Sequence, residues 1–182
     1  EIGWIESRRG EMLGFWSKVE DGTIPTRVTH NDTKINNILF DKDGGVLCAI
    51  DLDTVMNSTS LNDFGDAIRS YANTGEEDDR DLSRVGMSLD MFRAYTEGYL
   101  SQRAKQLTAP EIDHLAFSAR YITFEQVLRF LMDYIDGDTY YKIKYPEHNL
   151  VRTRAQYKLL RSMEEQYGTM CDIVRETVAK YR

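Results

Sequence analysis

Apolar residues recur at helical spacing at both ends of the chain and at strand spacing in a short stretch between them. Over residues 3–20, Trp4, Ile5, Met12, Phe15, Trp16 and Val19 predict one amphipathic helix. The Asp21-Gly22-Thr23 stretch and Pro25 end it. Arg27-Val28-Thr29 is a brief β-like run, followed by a polar segment from His30 to Asn37. Ile38-Leu39-Phe40 and Val46-Leu47-Cys48-Ala49-Ile50 then flank Asp41-Lys42-Asp43-Gly44-Gly45, the punctuation of a hairpin. From residue 63 onward the pattern turns helical, with helices expected near 63–72, 87–103, 109–136 and 149–179. The third carries a broad apolar face (Ile112, Leu115, Phe117, Ile122, Phe124, Val127, Leu128, Leu131), which predicts central burial. The run Glu76 to Asp81 reads as a solvated loop or the start of a helix. Trp4, Trp16 and the methionines read as core or interface residues, and Cys48 as a small buried hydrophobe. The expected fold class is α+β, mostly α, with a small β-hairpin near the start.

Composition narrows the class. A chain of 182 residues, 41% apolar, makes one globular unit or one lobe of something larger. No apolar stretch approaches the ~20 residues of a membrane span, and the opening residues lack the pattern of a signal peptide. A net charge of -7 argues against duplex DNA or an anionic membrane surface as partner. Two cysteines, Cys48 and Cys171, far apart in sequence, suit a reducing, cytoplasmic setting. An acidic chain still binds phosphates through a metal or a few local cations.

The chemistry concentrates between residues 29 and 54. His30, Asp32 and Asn37 stand at spacing H-x-D-x-x-x-x-N immediately before the first apolar strand, and Asp51 stands at the end of the second. In a hairpin the start of one strand neighbours the end of the next, so Asn37 and Asp51 can present oxygens to one point, with Asp32 beside them. Such ligands suit Mg2+, which keeps several waters and shares a nucleotide's phosphates. A carboxylate free of the metal can accept a hydroxyl proton, the division of labour in phosphoryl transfer. Lys34 is then either a phosphate-facing cation or a solvated one. His30 reads as a loop-holding residue, Asp53 as a second carboxylate near the metal or a loop stabiliser, and His114 and His148 as ordinary surface or helix-end positions.

His30-Asn31-Asp32 to Asn37, then Ile50-Asp51, resembles the catalytic loop and metal aspartate of the protein-kinase-like fold, most closely its aminoglycoside phosphotransferase and choline kinase branch. The runs Asp32 to Phe40, Ile50 to Met56 and Asp63 to Arg69, with Glu77-Asp78-Asp79, Arg129-Phe130-Leu131 and Gly137 to Tyr140, are similar to the N-acetylhexosamine 1-kinases, some of which carry the label mucin desulfatase. The resemblance implies a protein-kinase-like C-terminal lobe whose catalytic loop sits on the hairpin. It implies Asp32 as base, Asn37 and Asp51 as Mg2+ ligands, Lys34 facing phosphate, ATP as co-substrate, and Arg129 and Tyr140 holding a sugar acceptor. An intra-core ion pair of Arg129 with Glu125 or Asp133 is the plainer reading of that arginine.

Asp63-Phe64-Gly65 spells the metal-binding triplet of protein kinases, but it opens a predicted helix, so Asp63 is expected to cap that helix. A nucleotide lobe would need a glycine-rich loop and several strands. No G-x-G occurs and no such strands precede residue 27. Residues 1–182 are therefore expected to be the C-terminal lobe of a longer kinase, nearly inactive without its N-terminal nucleotide-binding lobe. Choline, aminoglycosides and homoserine remain alternative acceptors. A D-x-D hydrolase or glycosyltransferase built on Asp51-Leu52-Asp53, and a non-catalytic pseudokinase or sugar-binding lobe, are the competing functions.

Overall fold

A computed structural model describes residues 1–182 as seven helices and four short strands. The first expected helix is two, α1 (Ile2–Glu6) and α2 (Arg9–Glu20). The break follows from competition for one carbonyl: the Ser7 hydroxyl and the Arg8 guanidinium both donate to Trp4 O. The same guanidinium also donates to Glu164 across the molecule, at 2.7 Å through Nη2, so a tertiary ion pair holds the interruption open. Trp4 then stacks flat on Tyr157, ring centroids 4.0 Å apart.

Four strands follow: β1 (Arg27–Thr29), β2 (Ile38–Phe40), β3 (Val46–Ala49) and β4 (Met56–Ser58). They make two antiparallel pairs, β2 with β3 and β1 with β4. In the β2–β3 turn, Asp41 Oδ1 accepts from Asp43 N and Gly45 N, while Gly44 takes φ +83, a conformation glycine adopts without penalty. The hairpin is open to solvent along both strands, and Cys48 is exposed there. That corrects its reading as a buried hydrophobe: apolar neighbours in sequence bury a residue only when another layer covers the strand. The β1–β4 pair has no counterpart in the sequence reading, because Met56-Asn57-Ser58 carries no alternation of its own.

Helix α3 (Ser60–Tyr71) starts earlier than its apolar residues indicate. Thr59 caps it, its hydroxyl accepting from Leu61 N, so Asp63 is not the cap. Helix α4 (Leu89–Arg103) is capped by Ser88. Helix α5 (Ala109–Ile135) opens with a capping box between Thr108 and Glu111. The single helix expected over 149–179 is α6 (His148–Glu165) and α7 (Tyr167–Tyr181); at the break, Gln166 donates through Nε2 to Met87 O and Ser162 O.

Helix α5 packs against α3 and α6 as its apolar face predicts, with Leu115, Phe117, Ile122, Phe124, Val127 and Leu131 buried. Gly65 makes the α3–α5 contact possible, since a Cβ there would lie 2.4 Å from Ser118 O. Phe64 beside it meets Phe92 and Tyr99 edge-on. The acidic run is not simply solvated: Glu77 pairs with Arg69, Asp79 with Arg84, and Asp78 with His148 and Lys144. Of the two placements expected for His148, helix end and surface, it takes the first: it begins α6, fully buried and bonded to Asp78 at 2.8 Å. No helix is long and apolar enough to cross a membrane.

Candidate active site

The segment His30–Asn37 leaves β1 and turns back into β2 with little regular structure, so side chains must hold its backbone. Most come from the first two turns of α3. Asp63 accepts from His30 N (3.0 Å) and Asn31 N (2.7 Å), and Asp66 accepts from Thr33 N (2.7 Å). The Thr33 hydroxyl donates to the Asp63 carbonyl. Asp66 is in turn clamped by the buried Arg69 fork at 2.8 and 3.0 Å. Burial acts to lower the Arg69 pKa, but the Asp66 and Glu77 carboxylates outweigh it and hold the group above its ordinary value. Asn31 sits at φ +61, a left-handed conformation asparagine tolerates better than most residues, and its Nδ2 donates to Thr54 O.

On this frame Asp32 is the focus. Its Oδ2 accepts from Lys34 Nζ and from Asn37 Nδ2, both at 2.8 Å, and Asn37 Nδ2 also bonds the Asp32 carbonyl. Lys34 is thus neither free in solvent nor isolated. Burial acts to lower its pKa, while the bond and charge of Asp32, with Asp51 and Asp66 further off, raise it above normal. The lysine stays cationic.

Asp51 arrives from the other side. Ile50 N donates to Asn37 O, closing the hairpin, and His30 Nε2 bonds Ile50 O at 2.9 Å. Because a carbonyl only accepts, Nε2 is the donor there, and the other ring nitrogen, Nδ1, is buried without a partner. The chain then turns sharply, Asp51 at φ +62, into the short helical turn Leu52–Thr54. A hydrogen bond and charge repulsion from Asp53 push the Asp51 carboxyl above its ordinary range, with Asp32 adding to the effect.

Two solvent-exposed carboxylates that repel each other, Asp51 and Asp53, next to an asparagine whose Oδ1 accepts nothing, form a set of hard oxygen donors whose chemistry fits a cation such as Mg2+. No group of three His, Cys, Asp or Glu side chains is arranged to hold a metal by itself. Mg2+ keeps several waters and needs few protein ligands, so Asn37 and Asp51 could hold it.

Cavities lie on either side of the Asp66–Arg69 pair. One, about 440 Å³, is bordered by Asn31, Thr54, Asp66, Glu125 and Arg129. The other, about 310 Å³, is bordered by Lys34, Asn36, Arg69, Glu77 and Gln156. Arg129 is half-buried, 3.8 Å from Glu125, with its guanidinium 5.6 Å from the Tyr141 ring. Tyr140 is 74% exposed; the neighbouring Tyr141 is the ring that packs, against Phe130. Tyr140 contributes its backbone N–H, with those of Thr139 and Tyr141, to the buried Asp133 carboxylate. The structure thus brings Asp32, Lys34 and Asn37 into direct contact and joins His30 to the strand end at Asp51. Asp63 supports the loop from behind, while Arg129 borders a cavity together with Asn31, Thr54 and Asp66 and its guanidinium lies 5.9 Å from the Tyr140 ring. Asp66, Thr33 and Thr54 were missed by sequence reasoning. The signal for Asp66 was present as Asp63-x-x-Asp66-x-x-Arg69, one face of a helix.

A family model described as APH, the phosphotransferase enzyme family, matches residues 5–99. The match spans Asp32, Lys34, Asn37, Asp51, Asp53, Asp63 and Asp66, and stops short of Arg129 and Tyr140. With more than half of its length matched, the chain belongs to the phosphotransferase enzyme family.

Proposed function

We propose that this chain carries the phosphoryl-transfer site of an ATP- and Mg2+-dependent small-molecule kinase, acting on a sugar hydroxyl and first of all on the anomeric hydroxyl of an N-acetylhexosamine. The observation that carries the reading is the convergence of Lys34 Nζ and Asn37 Nδ2 on one oxygen of Asp32. That leaves Asp32 Oδ1, which accepts no hydrogen bond from the protein, to take the proton of an incoming hydroxyl. Lys34, kept cationic by its neighbours, offsets charge on the transferring phosphoryl group. Asn37 Oδ1 and Asp51 would hold Mg2+, which when bound with ATP neutralises charge on the phosphates. His30 and Asp63 keep the loop in register with the end of β3. Asp53 sets the charge at Asp51.

The expected nucleotide-binding lobe belongs to the same proposal. The exposed apolar side chains of the hairpin (Leu39, Val46, Leu47) and of Leu52 and Met56 are the surface that supports it. Without such a lobe the adenine would find no cover, and turnover by residues 1–182 alone is expected to be slight.

The test uses protein expressed from its complete reading frame, incubated with Mg-ATP and N-acetylglucosamine, N-acetylgalactosamine, glucose, choline or kanamycin, with products followed by phosphorus NMR. A sugar 1-phosphate from the acetylated hexosamines is the expected result. Phosphate on another acceptor keeps the kinase and removes the sugar. ATP left intact across the panel removes both and favours a non-catalytic lobe.

A further inference from the structure

We propose that Glu77 and Arg69 are positioning residues for the transfer: through Asp66 they fix the peptide that follows Asp32, so the acidic segment carrying Glu77 sets the aim of the base. This rests on the phosphoryl-transfer reading, because it takes Asp32 as the group that receives the hydroxyl proton. The peptide unit joining Asp32 to Thr33 is gripped at both edges. Its carbonyl accepts from Asn37 Nδ2 at 2.9 Å, and its N–H donates to Asp66 Oδ2 at 2.7 Å. A peptide is a rigid plane, so bonds on opposite edges leave it little freedom to turn. The Asp32 side chain hangs from one end of that plane, and Lys34 stands one residue beyond the other.

Asp66 divides its two oxygens between this peptide and an arginine. Oδ2 takes Thr33 N, while Oδ1 takes Arg69 Nη2 at 2.8 Å and Nε at 3.0 Å. Asp66 and Arg69 are both buried. A buried carboxylate needs its countercharge, so the direction of Asp66 is set by where Arg69 is held. The third guanidinium nitrogen, Nη1, donates to Glu77 Oε2 at 2.9 Å, with Gln156 Oε1 at 3.4 Å. Arg69 is thus fastened to its own helix, to the acidic segment and to α6.

The Glu77 side chain is partly exposed, and such a carboxylate on a free loop would add little. This loop is not free. The next residue, Asp78, accepts from His148 Nε2 at 2.8 Å and from Lys144 Nζ at 3.2 Å. Lys144 N donates to His148 Nδ1, so Nε2 is the ring nitrogen that carries a proton toward Asp78. His148 is fully buried at the start of α6, which gives the segment a fixed anchor one residue from Glu77. From that anchor the line from Glu77 through Arg69 and Asp66 to Thr33 N is unbroken, at 2.9, 2.8 and 2.7 Å. The N–H groups of His30 and Asn31 rest on Asp63, outside this line.

Amide hydrogen exchange and steady-state kinetics test this on protein expressed from its complete reading frame, with Glu77→Ala, Glu77→Gln and Asp66→Asn as variants and the acceptor panel above as substrates. In Glu77→Ala the Thr33 amide is expected to exchange about tenfold faster or more, while those of His30 and Asn31 keep the wild-type rate. Turnover should show kcat lowered about tenfold with KM for ATP and acceptor unchanged. Glu77→Gln, which keeps an oxygen for Arg69, should recover most of that loss. Glu77→Ala should cost little more once Asp66 is already Asn, because the line is then cut nearer the base. Should Asp66→Asn fail to fold by circular dichroism, exchange in Glu77→Ala decides. Exchange rising equally at all three amides, a raised acceptor KM with kcat unchanged, or fully additive losses overturns the proposal. Unchanged Thr33 exchange in an enzyme that makes a phosphorylated product overturns the brace and leaves the kinase. Faster exchange confined to Thr33, with ATP left intact by the wild type, overturns the kinase and with it the positioning role, while the brace itself stands.

Discussion

Asp32 and Asp63 are both aspartates of one loop system, and their surroundings divide their work. Asp32 is held by side-chain donors, a lysine and an amide, and so remains able to exchange partners. Asp63 is held by backbone N–H groups, which have no alternative partner, and so acts as a fixed brace. Replacing Asp32 by Ala in the complete enzyme should lower the rate roughly 10²–10⁴-fold if it is the base, with Asp32→Asn almost as damaging and the melting temperature little changed. A loss under tenfold would remove Asp32 from that role. Asp63→Ala behaves differently. It strands two partly buried N–H groups, so a loss of about 1–3 kcal/mol by urea titration is expected, together with reduced turnover. Full stability in that variant would mean water replaces the brace.

The Asp63-Phe64-Gly65 triplet shows how an element reassigns residues that a short motif appears to explain. Inside α3, Asp63 faces the loop, Phe64 enters the core and Gly65 faces Ser118 of α5. The glycine serves close helix packing. Gly65→Ala raises intrinsic helix propensity by about 1 kcal/mol, but the added Cβ would lie 2.4 Å from Ser118 O and 2.9 Å from Ile122 Cγ1. The clash is with backbone and should win, giving a net loss of about 1–3 kcal/mol. A thermal melt of the variant at or above the wild-type midpoint would show that the two helices separate freely. The loop braced by Asp63 and Asp66 would then lose its rigid footing.

Glu111 ties the molecule together. Fully buried, it accepts from Arg27 of β1, from Ser60 at the start of α3, and from Thr108 at its own helix start. Burial acts to raise its pKa, but these bonds and the Arg27 charge bring it down to about 2, against an ordinary 4.5. A depressed carboxyl stabilises the fold fully above its unfolded value and loses that contribution as pH falls toward the folded one. Stability should thus fall between about pH 4.5 and 2 by about 1–2 kcal/mol from this group, after allowing for solvent screening on the half-open Arg27 side. Glu111→Gln should be less stable at pH 7 and show a flatter acid limb. Parallel limbs in variant and wild type would assign the acid sensitivity elsewhere.

Local patterns carried a large part of the molecule. The hairpin over 38–50, the central apolar helix and the spacing from Asp32 to Asn37 and on to Asp51 were legible because each depends on neighbours within a few residues or on one turn. Hydrophobic period also placed α3, α4 and α5 to within a few residues. The split between α1 and α2 was not legible, because Glu164 lies far along the chain from the Arg8 it holds. Neither were the exposure of Cys48 and the burial of His148, since each depends on whether a distant layer covers it. Most of all, the support of the loop by Asp63 and Asp66 required three dimensions. The chemistry of a carboxylate or an amide is written in the residue. Its partners are chosen when α3 packs against the loop, and those partners decide whether it braces or remains free to react.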